Sequence, residues 1–189
     1  MGSFFGLCND DKDNYDYENN PNSNNNKNNN KKSDNDKKDN KKNHQQLYQK
    51  ECLDQHNYYR KIHHVNPLEL NEELSTIAQK CAEQLAVDSS NTNEYTKYKE
   101  EDLGENLYKA NGKISGRDVV NTWYSENKKY NYDLDINKGT GHFTQIVWKN
   151  TKYLGVGYAI TPEGYTIVCA KYLPSGNYLT KFKDNVLKP

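Results

Sequence analysis

His142 lies in Gly139-Thr140-Gly141-His142-Phe143-Thr144-Gln145-Ile146-Val147-Trp148, and two carboxylates stand where a fold could bring them to it. Glu105 sits in Gly104-Glu105-Asn106-Leu107, and Glu126 in Trp123-Tyr124-Ser125-Glu126. An imidazole between two carboxylates suits proton transfer, with a Glu as base and the His as acid, or the ligation of a divalent ion. Both uses depend on convergence. Without it, His142 is a structural histidine and Glu126 an ordinary exposed helix residue. No Ser or Cys stands in the setting of an activated nucleophile, and no His-Glu-x-x-His segment occurs. No catalytic residue is therefore assigned.

Met1-Gly2-Ser3-Phe4-Phe5-Gly6-Leu7-Cys8 offers chemistry of another kind. Removal of Met1 exposes Gly2 for N-myristoylation, although Gly6 stands where Ser or Thr is usual. One acyl chain gives only marginal membrane binding, and Asp10, Asp11, Asp13, Asp16 and Glu18 would repel anionic lipid. The second signal is assigned to Cys8, as a palmitoylation site. A signal peptide needs a basic start and a longer apolar run, and residues 1–8 have neither.

The elements that must position these groups are confined to part of the chain. Only 33% of the 189 residues are hydrophobic and the mean hydropathy is −1.21, against about 45–50% apolar in an average domain. The deficit falls in residues 9–46, almost all Asn, Lys and Asp, which are expected to form a disordered tail. Residues 47–189 are expected to form one domain. A formal net charge of +0 argues against binding nucleic acid through bulk charge. No apolar run approaches the ~18 residues of a membrane span. Four cysteines without a Cys-x-x-Cys pair are too few for a disulfide scaffold, and Cys81 and Cys169 read as small buried hydrophobes. No Asn-x-Ser/Thr sequon is present, which leans toward a reducing compartment.

Helical character runs from Leu47 to about His64, with Pro67 ending the segment. Asn71 is suited to cap a second helix whose face carries Leu74, Ile77, Ala78, Cys81 and Leu85. A polar loop is expected from Asp88 to Asp102. Ser115-Gly116-Arg117-Asp118 has a capping-box pattern and opens a third helix bearing Val119, Val120, Trp123 and Tyr130. Two strands, Tyr153 to Ile160 and Tyr165 to Tyr172, flank the turn residues Thr161-Pro162-Glu163-Gly164 and read as an antiparallel hairpin. Helices first and strands last predict an α+β domain.

The segment Gly141 to Thr151 resembles the first signature of the CAP superfamily. That superfamily takes in cysteine-rich secretory proteins, venom antigens and plant pathogenesis-related proteins. Further matches follow in order: His56-Asn57-Tyr58-Tyr59-Arg60, Gly104 to Leu107, Trp123 to Glu126, and Tyr172-Leu173-Pro174-Ser175-Gly176-Asn177. The resemblance runs from about Asp54 to Leu187. It implies a three-layer α-β-α sandwich with an antiparallel central sheet and a cleft. Ala170-Lys171-Tyr172, where secreted members place a disulfide cysteine, and the Met1-Gly2 terminus make the chain most similar to the intracellular, Golgi-associated branch.

The family cleft holds two His and two Glu, often described as a divalent-metal site, and Glu105, Glu126 and His142 match three of the four. No His occurs between Val87 and Leu103, so Glu94 is the nearest substitute. His44, His56, His63 and His64 belong to the tail and first helix and are poor replacements. Zinc prefers nitrogen and sulfur, so the lost imidazole weakens a zinc site. The resemblance implies a non-catalytic, membrane-associated protein that binds anionic lipid, sterol or fatty acid. Its expected place is the cytoplasmic face of intracellular membranes, with homodimerisation also open. The alternatives are an extracellular defence or effector protein, and a hydrolase using the Glu/His cleft.

Overall fold

The computed structural model describes residues 34–87, 103–134 and 137–189. Gly2, Cys8, Glu94 and the expected loop at 88–102 lie outside the described residues. The elements, in chain order, are α1 (Asp34–Ile62), β1 (Glu69–Leu70), α2 (Glu72–Val87), β2 (Gly104–Asn111) and α3 (Gly116–Tyr124). A 3₁₀ turn (Ser125–Lys129) follows, then α4 (Gly141–Ile146), β3 (Tyr153–Ile160), β4 (Tyr165–Leu173) and α5 (Phe182–Asn185).

Helix α1 starts at Asp34 rather than at Leu47, so the ordered domain begins inside the segment expected to be a tail. Composition was a sound guide to burial there, since 39–44 are exposed. The helix is held instead by polar groups further along: Gln45 Nε2 donates to Gln79 Oε1 at 2.7 Å and Gln49 Nε2 to the Val156 carbonyl at 2.9 Å. Tyr48 stacks on Tyr158 with ring centroids 4.3 Å apart.

The caps read from the sequence form. Asn71 Oδ1 accepts from the Leu74 amide at 2.9 Å. Ser115 Oγ accepts from the Asp118 amide at 3.1 Å, and α3 ends at Tyr124, short of Tyr130. The hairpin also forms, with Gly164 at φ +87 closing its turn, a conformation open to glycine without strain. Strands β1 and β2 and helix α4 were not read from the sequence.

Sheet order is β1-β3-β4-β2. Strands β2 and β3 both run antiparallel to β4, but β1 pairs parallel to β3, Glu69 opposite Tyr153 and Leu70 opposite Leu154. The sheet is therefore mixed, not antiparallel throughout as the family resemblance suggested. A two-residue strand leading directly into α2 can be added in either direction.

Alternation along β4 sorts the two faces. Val168, Ala170 and Tyr172 join the larger core with Cys52, Val119, Trp123, Phe143, Ile146 and Trp148, beneath α1, α3 and α4. Ile167 and Cys169 join a smaller core with Ala78, Cys81, Ala82 and Leu85 of α2. Each large apolar side chain so buried contributes about 1.5–3 kcal/mol. This is the α-β-α sandwich. Helix α2 lies flush on β3 because Gly155 and Gly157 face it: a Cβ on Gly157 would meet the Gln79 nitrogen at 2.2 Å.

Beyond β1, the outer edge of β3 is met by side chains rather than by a strand. Gln79 Oε1 accepts from the Tyr158 amide at 3.1 Å and its Nε2 donates to the Tyr158 carbonyl at 3.0 Å. Ser75 Oγ accepts from the Val156 amide, and Gln49 donates to the Val156 carbonyl.

Candidate functional site

Helix α4 brings His142 against Glu126. Glu126 Oε1 accepts from His142 Nδ1 at 2.7 Å, and Oε2 accepts from the amides of His142 at 2.9 Å and Phe143 at 3.2 Å. The carboxylate thus satisfies the free N–H groups that open a helix, and orients the imidazole with the same two oxygens. Since a carboxylate can only accept, His142 Nδ1 carries a proton. The Trp123 ring lies over the imidazole at 6.1 Å, and Trp123 Nε1 donates to the Leu107 carbonyl. The His142 side chain is 40% exposed.

A buried polar chain runs from this pair into the core. Asn106 Nδ2 donates to the His142 carbonyl and to Tyr172 Oη, each at 3.1 Å. Tyr172 Oη lies 2.8 Å from His56 Nε2, while His56 Nδ1 lies 2.7 Å from the Cys52 carbonyl. The carbonyl fixes the proton on Nδ1, so the tyrosine hydroxyl donates to Nε2. Burial pushes the His56 pKa down to about 4, which keeps it neutral.

Glu105 goes elsewhere. It alternates with Asn106 on β2, and where Asn106 faces His142, Glu105 faces α2. There it pairs with Lys171, its register partner on β4, and accepts weakly from Cys81 Sγ at 3.8 Å and Cys169 Sγ at 3.7 Å. Among the described residues, the ligating atoms of Glu105 do not gather with those of Glu126 and His142. His56 and His63 are engaged in the core, His63 Nδ1 on the Leu187 carbonyl and Nε2 at Tyr124 Oη. The metal centre implied by the resemblance does not fit these residues, because Glu105 turns to Cys81, Cys169 and Lys171 while both Glu126 oxygens are spent on the His142 ring and on the His142 and Phe143 amides.

Three features escaped the sequence reading. Asn106 was quoted only as part of a motif. Cys81 and Cys169 were read as separate hydrophobes, although the parity of β4 would have paired Cys169 with Lys171 on the α2 face. A groove of about 830 Å³ lies between the end of α4 and the C-terminal segment, with Lys149, Lys152, Lys181, Asp184, Pro67 and Tyr178 among its lining. Leu179 beside it is 68% exposed.

Helices on both faces of a four-stranded sheet, with a histidine held by a glutamate at the mouth of a short helix, define a small sandwich module of the pathogenesis-related type. The chain belongs to the CAP, cysteine-rich secretory protein, family, whose model matches residues 53–172. It is 41% identical over 149 residues to the human Golgi-associated plant pathogenesis-related protein 1, covering 75% of this chain and 94% of that protein. Pathogenesis-related protein 1 of Arabidopsis thaliana is 37% identical over 131 residues, covering 69% and 78%. The venom allergen-like protein 4 of Schistosoma mansoni shares the fold, with a TM-score of 0.58 at 24% identity over 75% of this chain and 96% of that one.

Proposed function

We propose that this chain is a non-catalytic, lipid-binding member of the family that works at membrane surfaces. The observation that carries the reading is the groove that gathers Lys149, Lys152 and Lys181. Three lysines outnumber the one carboxylate of the groove, Asp184, which suits an anionic headgroup, while Pro67, Pro174 and Tyr178 and the exposed Leu179 beside them offer apolar surface to an adjoining chain. Similarity to a protein named as Golgi-associated supports the cytoplasmic face of intracellular membranes, with acyl groups at Gly2 and Cys8 reinforcing the attachment. Anionic lipid is the first ligand to test, ahead of sterol or fatty acid.

The test is flotation of the unacylated full chain with neutral and anionic vesicles. Flotation with anionic vesicles alone, abolished in a Lys149→Gln, Lys152→Gln, Lys181→Gln protein, supports the reading. Equal flotation of that triple variant removes the groove from the account, and no flotation at all leaves attachment to the acyl groups. A second reading, hydrolysis, rests on the oriented Glu126–His142 pair, and requires an activity that His142→Ala abolishes in a folded protein.

A further inference from the structure

The ligand set of the family cleft does not assemble here, yet three other ligating groups do. Cys81 of α2, Cys169 of β4 and Glu105 of β2 place two thiol sulfurs and a carboxylate oxygen all within 4.8 Å of one another. Glu105 Oε2 stands 3.8 and 3.7 Å from the two sulfurs. In a tetrahedral zinc site, with about 2.3 Å to sulfur and about 2.0 Å to oxygen, a sulfur and an oxygen ligand are about 3.5 Å apart. The three groups therefore stand close to the spacing that one ion requires, and Lys171 Nζ, which donates to the same Glu105 Oε2, must give way to it. Both cysteines are free and buried, while the Glu105 side chain is 30% exposed and opens the cluster to solvent.

Charge balance points the same way. Glu105 and the Lys171 ammonium cancel, and Cys81 and Cys169 are free cysteines. When a divalent ion enters, two S–H bonds break, two metal–sulfur bonds form and two protons leave to solvent. Two positive charges are exchanged for two, so the buried site keeps its net charge. Lys171 then stands as the counter-charge to a dithiolate–carboxylate ion. Two sulfurs select soft or borderline ions over calcium and magnesium.

We propose that Cys81, Cys169 and Glu105 form a binding site for a thiophilic divalent cation of the zinc class, tying α2 to β2 and β4. It is separate from the His142–Glu126 pair and owes nothing to lipid binding.

The probe is cobalt(II), titrated into the reduced full chain carrying Cys8→Ala and read by absorption. The expected result is saturation at about one equivalent, with thiolate-to-cobalt charge transfer, intense tetrahedral visible bands and release of about two protons per ion. Zinc displaces the cobalt, and binding tightens as pH rises. Cys81→Ala and Cys169→Ala each lose the charge-transfer band, whereas His142→Ala keeps it. Absence of thiolate charge transfer in the reduced parent overturns the proposal, as does its survival in either cysteine variant. So does a mass showing Cys81 and Cys169 already joined as a disulfide under the same reducing conditions. Where an alanine variant fails to fold, the charge-transfer intensity and proton count of the parent decide the question.

Discussion

His56 ties the acid stability of the protein to one imidazole. In the fold its pKa lies near 4, below an ordinary value of 6.5, because burial disfavours the charged form. Between those two values the unfolded chain takes up a proton that the folded chain refuses, so stability is full above about pH 6.5 and falls as pH drops toward 4. The full loss is about 3 kcal/mol, and His63, shifted down for the same reason, adds to it. Denaturant midpoints measured from pH 7 to pH 4 should fall through this window, and His56→Gln should flatten the slope. Glu126→Gln should lower stability by about 1–3 kcal/mol, since an amide meets the Phe143 and His142 N–H groups less well than a carboxylate; thermal melts at pH 7 check this. The Glu126–His142 pairing was suggested by motif, but the destination of Glu105 was not. A shift of one residue changes the face of a strand, and β2 had not been read as a strand.

At the scale of elements, legibility followed local chemistry. The Asn71 and Ser115 caps and the Thr161–Gly164 turn are short-range signals, and α2, α3 and the hairpin came with them. Strand β1 has two residues, α4 depends on a carboxylate from another element, and α1 is held at Gln45 and Gln49 by Gln79 and Val156, so none carries a local signature. The contact of α1 with the α4–β3 connection is similarly remote. Arg60, wholly buried, donates to the carbonyls of Asn66, Ile146, Trp148 and Thr151 at 2.7–3.0 Å. Arg60→Lys strands several of those carbonyls, because an ammonium cannot span the fork, and should destabilise by at least ~2 kcal/mol, as urea unfolding will show. Gly157→Ala drives a methyl into the backbone of α2 and should lose at least ~2 kcal/mol through the displaced helix, with a matching drop in melting temperature.

For the whole molecule, a formal net charge of +0 means that the proposed attraction to an anionic surface has to come from local grouping of lysines, not from overall sign. Attachment of the unacylated chain to anionic vesicles should therefore weaken steeply between about 0.1 and 1 M salt, as screening shortens from about 10 to about 3 Å, and flotation across that range measures it. The glutamine-lined margin of β3 has a different consequence. An open strand edge is a template on which another chain can extend the sheet, and here Gln79 occupies the Tyr158 amide and carbonyl as a neighbouring strand would. With Gln49→Ala and Gln79→Ala together, the bare edge should seed fibrils that bind thioflavin, even where most molecules still fold.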